Sequence, residues 1–477
     1  MINNCSEIDY SVYSYHTFMF PFRWENEPID VENHGWKYQK FDISESCEAY
    51  NEYHYFHEFV QRTLYNDSDS VDRNDPSSYF EKKEYENQKF EFTIRVDQNT
   101  TRSIDLIIDG VSLRTFETGV AVLSINLKNI EHRRFDDVLV INDFGRRLYP
   151  QFLANPKNEN YADEVQNAFY PLDITFGSMV REDLAVRSIS RFQLPTYITD
   201  LIGVSTIKPL LDDRMFVISH VMDSALSAAL KHDYLDNEQW YKYVYVDSKS
   251  LSCQNSSMRK NALSLATYDR WSDYGTLYGI TRYSFVCVSD DSKFSHDVIN
   301  QHIRRHYYQM MNLTLAIRAS IIRFSNEVST LSTLKSQELS DKVSDFYKRY
   351  IQFVNRMYFR EVSPHEQGIE LYTKVVDVMQ VEKSIKDLDE EIAELFQYAE
   401  MKRQAELNEH MANISERGIP LMIAGIITGI FGMNTIDYDD VKGAFQYLIA
   451  IGSILLIVMS IKWYKYILLL FFHKDPK

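Results

Sequence analysis

Two long apolar segments near the C-terminus constrain this chain more than any other feature of its sequence. Residues 419–433 are apolar except for Thr428, and residues 445–461 are apolar except for Gln446, Ser453 and Ser460. Each is close to the roughly 20 residues with which a helix crosses a bilayer. A buried helical hairpin in a water-soluble core is the alternative, but the all-round apolar character of the second segment favours lipid. The sequence therefore predicts two transmembrane helices.

The charges around these segments predict their orientation. Basic residues flank the outer ends of the pair: Lys402, Arg403, Arg417, Lys462, Lys465, Lys474 and Lys477. The loop between the segments carries Lys442 against Asp437, Asp439 and Asp440. Because lysine and arginine concentrate on the cytosolic side, we expect both termini in the cytosol and the protein in the inner (plasma) membrane of the cell.

A helical pattern begins at about residue 295 and leads into the first apolar segment. Apolar residues follow the alternating three- and four-residue spacing of a coiled coil once the seam starts at Val378: Leu371, Val378, Val381, Ile385, Leu388, Ile392, Leu395 and Ala399. The strong breakers nearby are Pro364 and Gly368, so the sequence predicts one stalk helix from about Gln367 to the membrane, about 75 Å long. A soluble antiparallel helix pair is the alternative, and continuity into the apolar segment favours the stalk.

The region before residue 295 has the pattern of a mixed domain. β-branched and aromatic runs predict strands over residues 90–96, 104–108, 119–127, 138–141, 215–221, 241–246 and 283–288. A helix is expected over residues 223–232, so an α/β domain is the simplest assembly. Residues 1–90 are too weakly periodic to assign.

Composition excludes several functional classes. A net charge of -17 argues against a protein that binds nucleic acid directly. Cys5, Cys47, Cys253 and Cys287 have no zinc-ligand spacing and are expected to be reduced thiols. We find no nucleophile with its base and no phosphate-binding glycine loop in the sequence, so we expect no enzyme and no covalent cofactor.

The first apolar segment carries a stripe of small or apolar residues that leads towards Asn434. The stripe contains Met411, Ile414, Gly418, Met422 and Gly425. One hairpin cannot enclose a pore, so conduction would require several copies that turn this stripe inward. Close packing of the two membrane helices is an equally good explanation of the glycines.

The triplet Gly432-Met433-Asn434 ends the first span, and an acidic loop and a second span follow it. Over roughly the last 180 residues this arrangement resembles the CorA superfamily of magnesium channels. The resemblance implies an α+β membrane protein, a homopentamer whose first spans line the pore and whose stalks form a cytosolic funnel. The implied division is a cytosolic domain (1–294), funnel and stalk (295–417), first span (418–434), outer loop (435–444), and second span with tail (445–472).

The chemistry of the triplet suits a hydrated cation. Mg²⁺ loses its water reluctantly, so a ring of Asn434 amide oxygens would select it by hydrogen-bonding the hydration shell. Repeated around the ring, Asp437, Asp439 and Asp440 would form an outer acidic vestibule, whereas a solvated loop is the better explanation of each acid as an individual ligand. Met411, Ile414 and Met422 would close the pore by dewetting. Gly425 stands where family members often carry a polar residue, which leaves the ion conducted open.

Three N-terminal stretches look like those of CorA-like membrane effectors associated with type III CRISPR systems. They are residues 118–126, 143–150 and 275–283. This resemblance implies that the cytosolic domain binds a nucleotide second messenger, an adenylated S-adenosylmethionine (SAM-AMP), and that binding opens an antiviral pore.

Charged residues within or near these stretches are the candidates for the messenger site. Arg146 and Arg147 follow Gly145, which would let the backbone approach a ligand, and the arginines would clamp a phosphate. Asp212, Asp213 and Arg214 would hold amino or ribose groups of the same ligand. Surface turns with paired charges are the alternative. A third candidate set contains Gly275, Thr276 and Arg282.

The sequence therefore supports a ligand-gated cation channel whose partners are its own copies, lipid and a small nucleotide. A constitutive Mg²⁺ transporter gated by intracellular Mg²⁺ at stalk acids is the first alternative. Those acids are Asp387, Asp389, Glu390 and Glu391. A non-conducting membrane-anchored scaffold is the second alternative.

Overall fold

A computed structural model gives the fold of this chain. It describes residues 9–432 apart from 25–30, 67, 73, 96–99, 149–170, 179–181, 184–193, 204–205 and 335, together with residues 452, 454 and 458. Contacts divide the chain into two units: residues 1–330 with 345–392, and residues 331–344 with 393–477.

One large sheet organises the first unit. Its described strands are β1 (Ser14–Trp24), β2 (Lys37–Tyr38), β3 (Ser77–Glu81), β4 (Lys89–Arg95), β5 (Thr101–Phe116), β6 (Val120–Asn129), β7 (Pro171–Phe176), β8 (Glu182–Asp183), β9 (Ile207–Pro209), β10 (Phe216–Met222), β11 (Thr267–Trp271), β12 (Thr276–Ile280) and β13 (Ser284–Ser289). The strand order is β11-β12-β13-β10-β1-β6-β5-β4-β7-β8, with β2 on β3, β3 on β5 and β9 on β1.

The pairing corrects the expected α/β domain. Among the described strands, β10 and β13 form the one parallel pair, and the other pairs are antiparallel. Helices therefore do not alternate regularly with parallel strands, and the domain is α+β.

The described α-helices lie between strands of the sheet and after its last strand. They are α1 (Cys47–His54), α2 (Glu58–Leu64), α3 (Phe135–Gly145), α4 (Thr196–Ile202), α5 (Ser224–Leu230), α6 (Glu238–Tyr245), α7 (Ser256–Ala266), α8 (Tyr308–Leu331), α9 (Ser336–Arg356), α10 (Glu366–Met379) and α11 (Val381–Gly432). Two π-helical segments, Ser295–Ile299 and His302–Tyr307, lead into α8.

The central strand β1 lies in the region that the sequence left unassigned. It pairs with β6 on one side and with β10 and then β9 on the other. Pro21 is unusual in such a strand because it has no amide hydrogen. It lies where the β10 ladder has ended, after Met19, and the β9 ladder has not begun, before Phe22. The Pro21 carbonyl accepts from the Leu210 amide at 3.2 Å, so the backbone of this residue faces the β9 side and the missing donor breaks no bond of the β6 ladder.

Two predicted strands are helices. Residues 138–141 lie in α3, whose first turn carries Asp136 and Asp137, and acidic side chains stabilise a helix N-terminus. Residues 241–246 lie mostly in α6, where the Asn237 side chain accepts from the Trp240 amide at 3.0 Å. The predicted helix over 223–232 is found as α5, and the other five predicted strands overlap β4, β5, β6, β10 and β13.

The stalk is not one helix from Gln367. The chain breaks at Gln380, which has a φ of 54° and separates α10 from α11. The predicted apolar seam is nevertheless buried along α11, at Val381, Ile385, Leu388, Ile392, Leu395 and Ala399. The stalk is therefore the 52-residue helix α11, which begins after the break at Gln380.

The cysteines differ from the expectation of four reduced thiols. Cys253 and Cys287 are free, whereas Cys47 is disulfide-bonded. The burial of Cys287 raises its pKa well above the ordinary thiol value, so it is inert at neutral pH.

Truncation of Trp240 tests the core around α6. This side chain is fully buried and its Nε1 donates to Thr267 Oγ1 at 3.0 Å. We expect Trp240→Ala to lower the free energy of unfolding by about 3–5 kcal/mol, measured by denaturation followed by circular dichroism. Tyr274→Ala, at a side chain 73% exposed, should change it by less than about 0.5 kcal/mol. Equal effects would contradict this packing.

Candidate functional site

The predicted arginine pair at residues 146–147 follows α3 and lies against the second predicted segment, residues 212–214. The carbonyl of Arg146 accepts from the amide of Met215 at 2.8 Å, and Arg147 pairs with Arg214 as an antiparallel bridge. The fold therefore brings the candidates near residue 146 and those near residue 213 together, although 65 or more residues separate them in sequence.

Gly145 has a different role from the one predicted. A Cβ atom at this position would lie 2.7 Å from Cζ of Phe18, which is shorter than any tolerable contact. The glycine is therefore required for packing of α3 on β1, and ligand approach is not needed to explain it.

Arg146 is the most unusual residue of the turn. Its side chain is 3% exposed, and its Nε and Nη1 atoms have no hydrogen-bond partner in the described part of the chain. Burial, followed by the like charge of Arg214, lowers its pKa to about 10. Arg146 therefore stays charged at neutral pH, and a buried charge without full hydrogen bonding is costly unless an anion joins it.

Arg147 is held in place by its own helix. Its Nη2 lies 2.7 Å from Oδ1 of Asp143, and its guanidinium covers the Phe144 ring at 4.4 Å. Burial opposes ionisation of Asp143, but Arg147 and a hydrogen bond from Ser248 outweigh it and lower the pKa of that carboxyl. Lys249 approaches the Phe144 ring at 5.8 Å, and burial beside Arg147 lowers its pKa to about 8.

The acidic residues beside the turn are weakly paired. Arg214 Nε lies 3.8 Å from Asp212 Oδ2 and 3.5 Å from Asp213 Oδ1. Burial and a hydrogen bond with Asp213 raise the pKa of Asp212 to about 6, whereas the pKa of Asp213 is lowered. Asp212 therefore changes charge within the physiological range.

We call the set Asp143, Arg146, Arg147, Asp212, Asp213, Arg214 and Lys249 the basic turn. Its cations converge in a chain of strongly negative net charge. Arginine forks recognise phosphate oxygens in bidentate geometry, so this arrangement suits an anionic group such as a phosphate. Sequence reasoning missed Asp143 and Lys249. Asp143 could have been found from its position four residues before Arg147, the spacing of an ion pair on one helix face. Nothing in the sequence indicates Lys249.

The third predicted set lies elsewhere in the sheet. Gly275 has a φ of 77° and forms the turn between β11 and β12, where its carbonyl accepts from Ser227 at 2.9 Å. Thr276 is buried, and the Arg282 carbonyl accepts from Arg318 at 3.2 Å. A turn that needs a left-handed residue accounts for Gly275 without a ligand.

The predicted pore residues fall at the end of α11 or beyond it. Met411, Ile414 and Met422 are exposed in the single chain, a Cβ atom added at Gly418 or Gly425 would meet no described atom within 4 Å, and Gly432 is the last residue of the helix. Met433, Asn434, Asp437, Asp439 and Asp440 lie outside the described residues. Among the helices that the structure describes, none combines the length and the apolar character needed to cross a bilayer.

Comparisons with known proteins give little family information. No family model matches the sequence. No curated protein matches it either. One solved structure to which the chain is similar is the complete structure of the CorA magnesium transporter from Methanocaldococcus jannaschii, at 13% identity, covering 61% of this chain and 95% of that one. The TM-score of 0.22 does not establish a shared fold.

Substitution of the two arginines by methionine should have opposite effects on stability. Arg146→Met removes an incompletely bonded buried charge, so we expect the free energy of unfolding to rise by about 1–3 kcal/mol. Arg147→Met removes the partner of buried Asp143, so we expect a fall of about 1–3 kcal/mol. Denaturation of both variants in phosphate-free buffer measures these changes. A loss of stability in Arg146→Met would argue against an incomplete anion site.

The affinity of the basic turn for sulfate should rise as the pH falls from 7 to 5. Asp212, with a pKa of about 6, is negative above that pH and repels an anion, and protonation removes the repulsion. Sulfate does not titrate in this range, so calorimetric titration reports the protein alone. Asp212→Asn should bind sulfate equally at both pH values. A pH dependence that persists in this variant would assign it to another group.

Proposed function

We propose that this chain is a CorA-like homopentameric cation channel of the inner membrane, opened by a phosphate-bearing nucleotide that binds the basic turn. The messenger is of the S-adenosylmethionine-AMP type, and the channel serves as an antiviral effector of a type III CRISPR system. The observation that carries the membrane part of the proposal is the exposed apolar end of α11.

Large apolar side chains on this end of α11 are exposed. Met411, Ile414, Leu421 and Met422 are 67%, 70%, 73% and 61% exposed. Clusters of exposed apolar side chains commonly mark contact with lipid or with other protein subunits. The apolar segment 445–461 that follows in the sequence would add a second helix for the same environment.

The resemblance around Gly432-Met433-Asn434 supports the channel function of this assembly. Copies of α11 arranged around an axis would bring five Asn434 amides to the outer mouth, where they would bind a hydrated cation. Met422, Ile414 and Met411 would form successive apolar rings along the same pore, with Gly418 and Gly425 between them.

The basic turn supports the ligand part of the proposal. A phosphate bound between Arg146 and Arg214 would neutralise two like charges and hydrogen-bond the Arg146 nitrogens that lack partners. Any ligand with higher affinity for the open arrangement shifts the population towards it. No chemistry on the ligand is required, so the proposal involves no enzyme activity.

The contacts of the stalk acids weigh against the constitutive transporter. Asp389 accepts from the Tyr350 hydroxyl, and Glu391 accepts from Ser325 at 2.8 Å. Two of the four acids that would sense Mg²⁺ are therefore engaged within the chain. The scaffold alternative assigns no role to Asn434. Because a scaffold conducts no ions, measurement of flux distinguishes it from the ligand-gated channel and from the constitutive transporter.

Flux through liposomes tests the proposal. We expect cation flux from the wild-type protein only when the adenylated messenger is present, because the ligand selects the open state. Asn434→Ala should change cation preference, whereas Asn408→Ala, at an exposed position of α11, should not. Arg146→Met should abolish the response to the messenger.

Other outcomes assign the alternatives. Equal flux with and without the messenger would favour the constitutive transporter, and absence of flux under all conditions would favour the scaffold. Unchanged cation preference in Asn434→Ala would remove the filter assignment while leaving the messenger site open.

A further inference from the structure

A polar cavity in the first unit lies apart from the basic turn. Its volume is about 420 Å³, within the usual range for small-molecule sites. Strands β1, β3, β5 and β6 form one wall, and the π-helical segment with the start of α8 forms the other. The proposed channel function does not use this cavity.

Two irregularities of the backbone meet at the cavity. The β5–β6 ladder shifts register between Ile108 and Gly110, and Asp109 lies within this bulge. On the opposite wall, Arg304 and Arg305 are carried by the π-helical segment His302–Tyr307. Bulges and π-helical turns both re-aim side chains and occur often at functional sites.

Gly110 leaves open space in the cavity wall. Its φ does not require glycine, and an added Cβ atom would have one neighbour within 4 Å, the Asn126 Nδ2 at 3.8 Å. Neither strain nor close packing explains a glycine inside this strand. A glycine inside a strand commonly marks a bulge or a place where a ligand approaches the backbone, and the open space in front of Gly110 fits the second setting as well as the first.

The cations of the wall form ion pairs with acids of the same wall. Lys128 and Arg304 both pair with Asp109, and Arg305 pairs with Glu52 at 3.1 Å. Glu52 also accepts from Gln309 at 2.9 Å. These contacts fix the wall before any ligand binds, which lowers the entropic cost of binding.

The wall carries five carboxylates against three cations, so two carboxylates remain in excess. Asp9 accepts from the Ser11 hydroxyl, and this hydrogen bond together with the charge of Lys128 lowers its pKa. Glu86 forms no ion pair among the described residues, and Glu81 accepts from the Tyr79 hydroxyl at 3.2 Å, with Lys83 Nζ 3.8 Å away. Burial raises the pKa of Glu81, so a cationic group beside this carboxyl would stabilise its charged form. No three His, Cys, Asp or Glu side chains in the described part of the chain converge to hold a metal ion. The spread of the acids therefore suits an extended cation.

We propose that this cavity binds a small organic cation, a molecule with one or more ammonium groups, between Gly110 and the carboxylates of Glu81 and Glu86. An ammonium group of the ligand donates to these carboxylates and replaces the missing counter-charge. The alkyl part of the ligand lies against the backbone at Gly110, where the wall has no side chain.

Calorimetric titration of the full chain in detergent with putrescine tests this site. We expect putrescine to bind once per chain and the uncharged 1,4-butanediol not to bind, because the carboxylates require a cation. Glu81→Gln should weaken putrescine binding by about tenfold or more, the effect of one lost charge-assisted hydrogen bond. Glu238→Gln, at a surface pair with Arg259, is the matched control and should bind as the wild type does.

A second variant guards against misfolding of the first. Gly110→Leu adds a side chain whose Cβ atom would meet one neighbour, Asn126 Nδ2 at 3.8 Å, so it should block putrescine while the thermal midpoint stays close to that of the wild type. Absence of putrescine binding to the wild type, equal binding of 1,4-butanediol, or wild-type affinity in both Glu81→Gln and Gly110→Leu would each overturn the proposal. Messenger-gated flux depends on Arg146 and not on this cavity. Failure of putrescine binding would therefore not contradict the channel proposal, which the flux experiment tests separately.

Discussion

Burial of β1 in the middle of the sheet is the constraint on which the first unit depends. Successive side chains of a strand face opposite sides, so this one strand shapes both faces. On one face, Phe18 packs against Gly145, and His16 Nδ1 lies 2.7 Å from Asn142 Oδ1, which fixes α3. The end of α3 then presents Arg146. On the other face, Tyr15 and Thr17 line the polar cavity. One strand therefore positions both proposed ligand sites.

The two sites differ in how the fold compensates buried charge. At the basic turn, Arg146 is buried with incomplete hydrogen bonding beside Arg214, so cations are in excess. In the cavity, Asp109 and Glu52 pair with the three cations, Lys128 also acts on Asp9, and Glu81 with Glu86 remains in excess. Uncompensated buried charge lowers stability, and functional sites commonly tolerate that cost. Ligands of opposite charge are therefore expected at the two sites.

Local patterns predicted five of the thirteen described strands and the α11 seam. They also assigned the segments at residues 146–147 and 212–214 to one ligand, and the fold brings these segments together at the bridge between Arg147 and Arg214. They failed where a short apolar run fits both the strand period and the helix period. Residues 138–141 are helical because they follow an acidic first turn, and residues 241–246 are mostly helical because Asn237 caps their helix. They missed β1, because a proline normally excludes a central strand and only the tertiary ladder shows that Pro21 needs no donor. The break at Gln380 and the cavity below the π-helical segment depend on long-range contacts that no local pattern contains.

The central claim is that copies of this chain assemble through the apolar end of α11 in the membrane. Native mass spectrometry of the full-length protein released from lipid nanodiscs tests it most directly. The account predicts one dominant species with five times the mass of the 56.2 kDa chain. A protein that is monomeric after release from nanodiscs, or one that never enters them and stays in the aqueous fraction, would contradict it.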